Sequence, residues 1–415
     1  MDTKKFPAHP NLEQYKKQAK ELLKAFQEAD MKTLVRVRRK HPRFRKLDEA
    51  EFRAQPFVLA DAQLVIAREY GFESWPKFVK GMEDLRRKDS PFSIFEAAAD
   101  AIVGGDIATL ARMLRENPGL VHARSEREHN APLIHYVAAN GVEDFRQKTP
   151  KNIVQITELL LKAGAKVDAA TQAYGSSSTA LGLAATSYHP AKAGVDIPLL
   201  EILLKHGAAP DGAPGGWLTV PAALANGRPR AAQLLARHGA KLDLEGAAGV
   251  GRLDVVKTFF AEDGSLKPDA TRKQMESGFA WACEYGHTSV VEFLLQRGIK
   301  VDDPLRHNGQ TGLHWAAYNA HVETVKLLLA HNAPVNSRDK SYNGTPLGWA
   351  LYAWSEPAPE TDTSGYYETV ALLIKAGATV DEEWIADPNR ERPLAQKIHN
   401  DKRMLAALRG EHKHD

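Results

Sequence analysis

Only one cysteine, Cys283, occurs in the 415 residues, so no intramolecular disulfide can form and a reducing compartment is expected. No run approaches the roughly 18 consecutive apolar residues of a membrane span, and the opening MDTKKFPAHP contains no apolar segment of the kind that directs secretion. A cytoplasmic location without membrane association is therefore expected. Charge of one sign is scarce as well: the formal net charge is +3, which gives no reason to look for a polyanionic partner. The imbalance is local, because 21 of the 55 Lys/Arg but only 14 of the 52 Asp/Glu lie in residues 1–90. Compact catalytic signals are missing too. There is no Gly-Lys-Ser/Thr phosphate loop, no His-Glu-x-x-His, no paired cysteine and no Gly-x-Ser-x-Gly elbow. No catalytic residue, metal ion or cofactor is assigned on these grounds.

What the chain does have is a repeated pattern. In Gly309 to Asn336, GQTGLHWAAYNAHVETVKLLLAHNAPVN, apolar residues recur at helical spacing twice, at Leu313, Ala316 and Ala317, then at Val325, Leu328 and Leu329. The break at Asn319-Ala320 makes this two short antiparallel helices. Asn332 can adopt the left-handed conformation that closes a helix, and Pro334 prevents continuation. One such pair cannot bury its own apolar face, so the pattern must recur if it is to be stable. It recurs at 34 residues in both directions: Trp281, Trp315 and Trp349 fall in one register, as do Val291 with Val325 and Leu294 with Leu328.

These residues resemble the ankyrin repeat, whose pattern is a Thr-Pro-Leu-His opening, a Gly-His between the helices and a Leu-Leu-x-x-Gly-Ala-x-Val-Asn close. The resemblance implies an all-α solenoid of about eight helix-turn-helix units with β-hairpin fingers, preceded by a small helical N-terminal cap. The expected division is a helical N-terminal module over 1–90, the repeat array over 91–385, and a C-terminal capping helix and tail over 386–415. The N-terminal part also looks like a small helical module that precedes other domains in bacterial proteins, which suggests a bacterial-type ankyrin-repeat protein.

Within 1–90, Leu12, Tyr15, Ala19, Leu22, Leu23 and Phe26 share one face of a helix, with lysines on the other. A second helix is expected to start at Asp30, followed by the basic run Arg36 to Lys46. Further helices are expected to end at Gly71 and to begin near Ser74, with Pro76 in the first turn. Gly164, Gly207, Gly239, Gly298 and Gly377 occupy the helix-closing place that Asn332 fills, and all require positive φ. Asp168, Asp211, Asp243, Asp302, Asn336 and Asp381 follow four residues later, as acceptors that tie the finger turn. Three insertions, near 142–152, 187–197 and 354–365, fall between the two helices of their units; folded over the concave face, they would turn an open groove into a pocket.

In the family, ligands are bound by the fingers and by residues just before the inter-helix Gly. That places candidate contacts at Glu284 and Tyr285, Tyr318 and Asn319, Tyr352, and Trp354, which stands where the Gly should be. Adjoining finger candidates are Arg306, His307, Lys340 and Tyr342. The tyrosines suit recognition because aromatic rings supply contact area at low entropic cost. His135 and His314 sit at the Thr-Pro-Leu-His position, where the imidazole braces backbone.

The leading reading is a monomeric scaffold that binds another protein through the concave face. The rival is a small-molecule hydrolase or receptor in the same groove, with Glu284, Asp302, Asp303, His314 and Glu323 supplying acid and base. A third reading, nucleic-acid binding through Arg36–Lys46, lacks interleaved aromatics beyond Phe44.

Overall fold

The computed structural model describes residues 3–7, 10–303, 309–357, 362–380 and 393–411. Arg306, His307 and Asp381 lie outside these residues. The chain forms two compact units, Met1–Ala240 and Lys241–Asp415.

The first unit opens with helices Leu12–Gln27, Met31–Lys40, Glu49–Ala54, Leu59–Glu69 and Trp75–Asp84. The first buries Tyr15, Ala19 and Leu22 against an aromatic core that includes Phe44, Phe72 and Phe78. The expected starts hold: Asp30 accepts from the Thr33 amide at 2.8 Å, and Ser74 caps the helix that carries Pro76. Gly71, at φ 80°, ends the preceding helix. This module is fastened to the first finger that follows it. The Glu128 amide donates to the Gly71 carbonyl at 2.6 Å, and the buried Arg127 guanidinium donates to the Tyr70 carbonyl.

Four helix pairs complete this unit: Pro91–Gly104 with Ile107–Glu116, Leu133–Ala138 with Ile153–Lys162, Ala180–Thr186 with Asp196–Lys205, and Thr219–Ala225 with Pro229–Arg237. The second of these opens on a 3₁₀ turn, Leu133–Ala138, which closes at Ala139 with positive φ. Four more pairs build the second unit: Leu244–Gly249 with Leu253–Thr258, Arg272–Glu284 with Thr288–Gln296, Gly312–Tyr318 with Val322–Ala330, and Pro346–Ser355 with Ser364–Lys375. Helices Pro393–Asn400 and Lys402–Ala407 follow and contribute Ile398, Met404 and Ala407 to the core. Thr179 and Thr345 cap the helices they precede, by accepting from Gly182 and Gly348, as the Thr-Pro-Leu opening requires. Val325 and Leu328 are fully buried, and each such side chain contributes on the order of 1.5–3 kcal/mol.

The closing glycines all have positive φ, as does Asn332 at 60°. Of the acceptors four residues later, Asp243 caps the helix that follows it by accepting from the Gly246 amide at 2.7 Å, whereas two others reach across repeats. Asp168 accepts from the Ala209 amide at 3.0 Å, and Asn336 accepts from Thr379 at 2.8 Å, so these side chains stitch one repeat to the next. The fingers are small: among the described residues Thr171–Ala173 and Ser176–Ser178 pair as strands, and Arg124 with Pro132 and Phe260 with Leu266 form single bridges.

Candidate functional site

The tryptophan series is mainly packing. Trp281 is buried, and Trp315 and Trp349 are half-buried with rings edge-on at 5.2 Å. Trp349 Nε1 donates to Asp339 at 3.1 Å, and Asp339 also accepts from the Ser341, Tyr342 and Gly344 amides, so one carboxylate fixes both the finger and the ring. Those amides hold the Asp339 carboxyl below its usual value although burial opposes the shift.

The tyrosines lie alongside. Tyr318 packs its ring edge-on to Trp349 at 5.6 Å. Burial, then Tyr352 and Glu284, push its phenol pKa up. Tyr352 is 59% exposed and Tyr342 is 81% exposed. Lys340 and Asn319 are exposed, and the Asn319 amide donates to the Trp315 carbonyl at 3.3 Å. Glu284 and Tyr285 are half-buried.

Trp354 does not belong to this surface. It is only 2% exposed. Neighbouring repeats turn at Gly286 and Ala320, both with positive φ, whereas helix Pro346–Ser355 runs on through position 354 and carries the indole into the core. Lys397 covers it, with the ammonium 5.0 Å from the ring and donating to the Trp354 and Ser355 carbonyls.

The acid-base candidates have structural partners of their own. His314 is fully buried, bonded to Thr311 and to the Gly344 carbonyl at 3.2 Å, and burial lowers its pKa. Glu323 pairs with Lys326 at 2.8 Å and Asp303 with Arg272 at 3.6 Å; Asp302 is exposed. His135 meets the Ala169 carbonyl at 2.6 Å, and burial brings its pKa to about 4. Among the described residues no group of three or more His, Cys, Asp or Glu could hold a metal ion. Burial pushes the Cys283 thiol far up, which leaves it unreactive.

At least three of the seven cations of the basic run are paired with carboxylates. Arg36 makes a bidentate pair with the buried Glu69, Arg38 meets Glu49 at 3.1 Å and Arg43 meets Asp61 at 2.9 Å. Cations already bonded to carboxylates are poor phosphate clamps.

Two features of the first unit escaped sequence reasoning. The insertion near 142–152 delivers Glu143 and Arg146 into a buried ionic cluster. Arg146 meets Glu96 at 3.1 Å and Asp100 at 2.7 Å, Arg127 meets Glu96 at 2.6 Å and Glu143 at 2.8 Å, and His129 meets Glu143 at 3.2 Å. Burial alone would raise the Glu143 pKa, but His129, Arg127 and Arg146 together hold it far below the carboxylate range.

The second feature is a cavity of about 430 Å³ between the Thr171–Ser178 hairpin, the insertion at 187–197 and the following finger. Tyr174, Tyr188 and Trp217 line it and are 51%, 56% and 60% exposed. The insertion length was the sole sequence signal; nothing in the repeat register marks these three rings.

Stacked helix pairs tied repeat to repeat define a helical-repeat protein. Residues 244–339 and 279–384 match the family model described as ankyrin repeats (3 copies). Over this stretch, about a third of its length, the chain is similar to ankyrin-repeat proteins. It is 48% identical over 54 residues to 26S proteasome non-ATPase regulatory subunit 10 of Rattus norvegicus, and equally to that of Mus musculus, a match over 12% of this chain and 22% of each relative. The chain therefore spans about a fifth of the length of these relatives. A crystal structure of the human ASB11 ankyrin repeat domain is similar at 19% identity and a TM-score of 0.34, covering 68% of this chain and 99% of that one.

Proposed function

We propose that this protein is a non-catalytic interaction module that binds another protein through the tyrosine-bearing face of its second unit. Ankyrin repeats generally serve as protein-binding modules, with preformed surfaces and no covalent chemistry. The observation that carries the reading is the pair of exposed rings, Tyr342 and Tyr352, on the finger and first helix of one repeat, with Tyr318 of the preceding repeat packed edge-on against Trp349 of the same helix as Tyr352. Large aromatics held outward on rigid elements are the residues that most often dominate binding energy. Tyr285, Glu284, Asn319 and Lys340 complete the proposed contact set. Residues 1–90 and 386–415 act in this proposal as the ends of the array, and the cytoplasm is its setting.

The experiment is a quantitative pull-down from a lysate of the source organism, comparing the native chain with Tyr342→Ala/Tyr352→Ala. Loss of specific proteins from the variant, with its melting temperature unchanged, supports the reading; an identical set from both chains contradicts it.

A further inference from the structure

The cavity in the first unit has a chemistry distinct from that of the tyrosine face. None of its lining residues is Asp, Glu, Lys or Arg. The wall combines three exposed rings, Tyr174, Tyr188 and Trp217, with neutral hydrogen-bonding side chains such as Asn140, Gln147 and Ser187. At about 430 Å³ it falls within the roughly 300–1,000 Å³ range of small-ligand sites.

Local structure shows that the rings are held in place at a cost. Ala173 and Ser176 pair across a two-residue loop, and Tyr174 and Gly175 both have positive φ, at 53° and 78°. Such a loop favours Asn-Gly, so a tyrosine at its first position is strained. The phenol is aimed by donating to Asn140 at 2.6 Å and accepting from the Gly141 amide at 3.3 Å. Tyr188 is flanked by Lys192 and Arg228, whose charged groups lie 5.6 and 5.7 Å from its ring, and Arg228 donates to the Ser187 carbonyl. The Ser187 hydroxyl is buried in the wall without a hydrogen-bond partner. Buried hydroxyls in that state cost free energy unless something pairs with them.

We propose that this cavity is a binding site for a neutral saccharide, its ring faces stacked on Trp217 and Tyr174 and its hydroxyls paired with the amide and hydroxyl wall. With no Asp, Glu, Lys or Arg in the lining and only His189, whose pKa burial lowers, as a titratable imidazole there, a carboxylated, sulfated or phosphorylated ligand would lose hydration inside the cavity without an ion pair from the wall. Aromatic faces match the C–H faces of a sugar ring, and side chains that both donate and accept match its hydroxyls. The same recognition serves a free sugar and a glycan carried on another protein.

The test is the full chain on an array of neutral, sialylated and sulfated glycans with uncharged peptides alongside, followed by calorimetric titration with the best neutral glycan, free and carrier-linked. Neutral glycans should be retained, with binding unaffected by about 0.5 M salt because no charge is involved. Binding of the free form marks a soluble-sugar site and of the carrier-linked form alone a glycoprotein reader; either supports the assignment. Trp217→Ala should weaken binding about tenfold or more. Tyr174→Asn should do likewise while leaving the melting temperature equal or higher, because Asn suits the turn. Retention of charged glycans or peptides alone, absence of any neutral-glycan binding, or undiminished affinity in either variant overturns the proposal.

Discussion

The imidazole of His321 lies over Gly286, with Nδ1 only 2.6 Å from where a Cβ on that glycine would stand, while Nε2 meets the Glu284 carbonyl at 2.8 Å. His287 does the same one repeat earlier, over Gly251 and onto the Gly249 carbonyl at 3.1 Å. The Gly-His signature is thus a staple between repeats: glycine supplies both the positive φ and the space that the next histidine fills.

Gly286→Ala should therefore destabilise by about 2–4 kcal/mol, from left-handed strain and the collision with His321 combined. Ala320, already at φ 54°, should respond oppositely: Ala320→Gly should stabilise by about 0.5–1 kcal/mol. Urea unfolding monitored by circular dichroism gives both signs, and a stabilised Gly286→Ala would refute the staple.

Acid should loosen the array well before its carboxylates titrate. Burial lowers the pKa of His135, His287, His314 and His321. An unfolded imidazole takes its proton near pH 6.5, but folded His135 only near about 4. Its contribution is complete above about pH 6.5 and is lost as pH falls through that window, to a total on the order of 3 kcal/mol. Melting temperature should drop between about pH 6.5 and 4, and His135→Gln should flatten the drop.

The ionic cluster of the first unit should tolerate loss of one partner poorly. Glu143→Gln leaves Arg127 and Arg146 under-neutralised in the interior and should cost about 3–5 kcal/mol. Replacing Arg146 by Met should cost a similar amount. Either variant within about 0.5 kcal/mol of the native chain would show the cluster to be open to water.

Trp354→Ala should act on stability and leave binding by the remaining surface alone. Emptying a buried indole site costs about 3–5 kcal/mol, read as a shifted urea midpoint. Unchanged stability would restore Trp354 to the surface.

The fold was legible because Trp281, Trp315 and Trp349 mark a 34-residue period that no single-helix reading explains. The helix-closing glycines and the caps at Asp30 and Ser74 were legible for the same local reason: backbone conformation at one residue dictates side-chain type. Trp354 was misread because a missing glycine removes the turn itself, and the helix continues inward. Arg146 could not be read as buried, since its partner Glu96 lies fifty residues away. Tyr174, Tyr188 and Trp217 sit on a finger, on an insertion and on the next finger, positions whose residue types the repeat pattern leaves open.

The central claim is that the tyrosine face of the second unit docks a protein. A photoreactive benzoylphenylalanine placed at position 352, with a control at exposed Glu292 on the second helix of another repeat, tests it most directly in a lysate of the source organism. Discrete protein adducts at 352 that are missing at 292 are the expected result. Equal adducts at both positions, or none at 352, would contradict the claim.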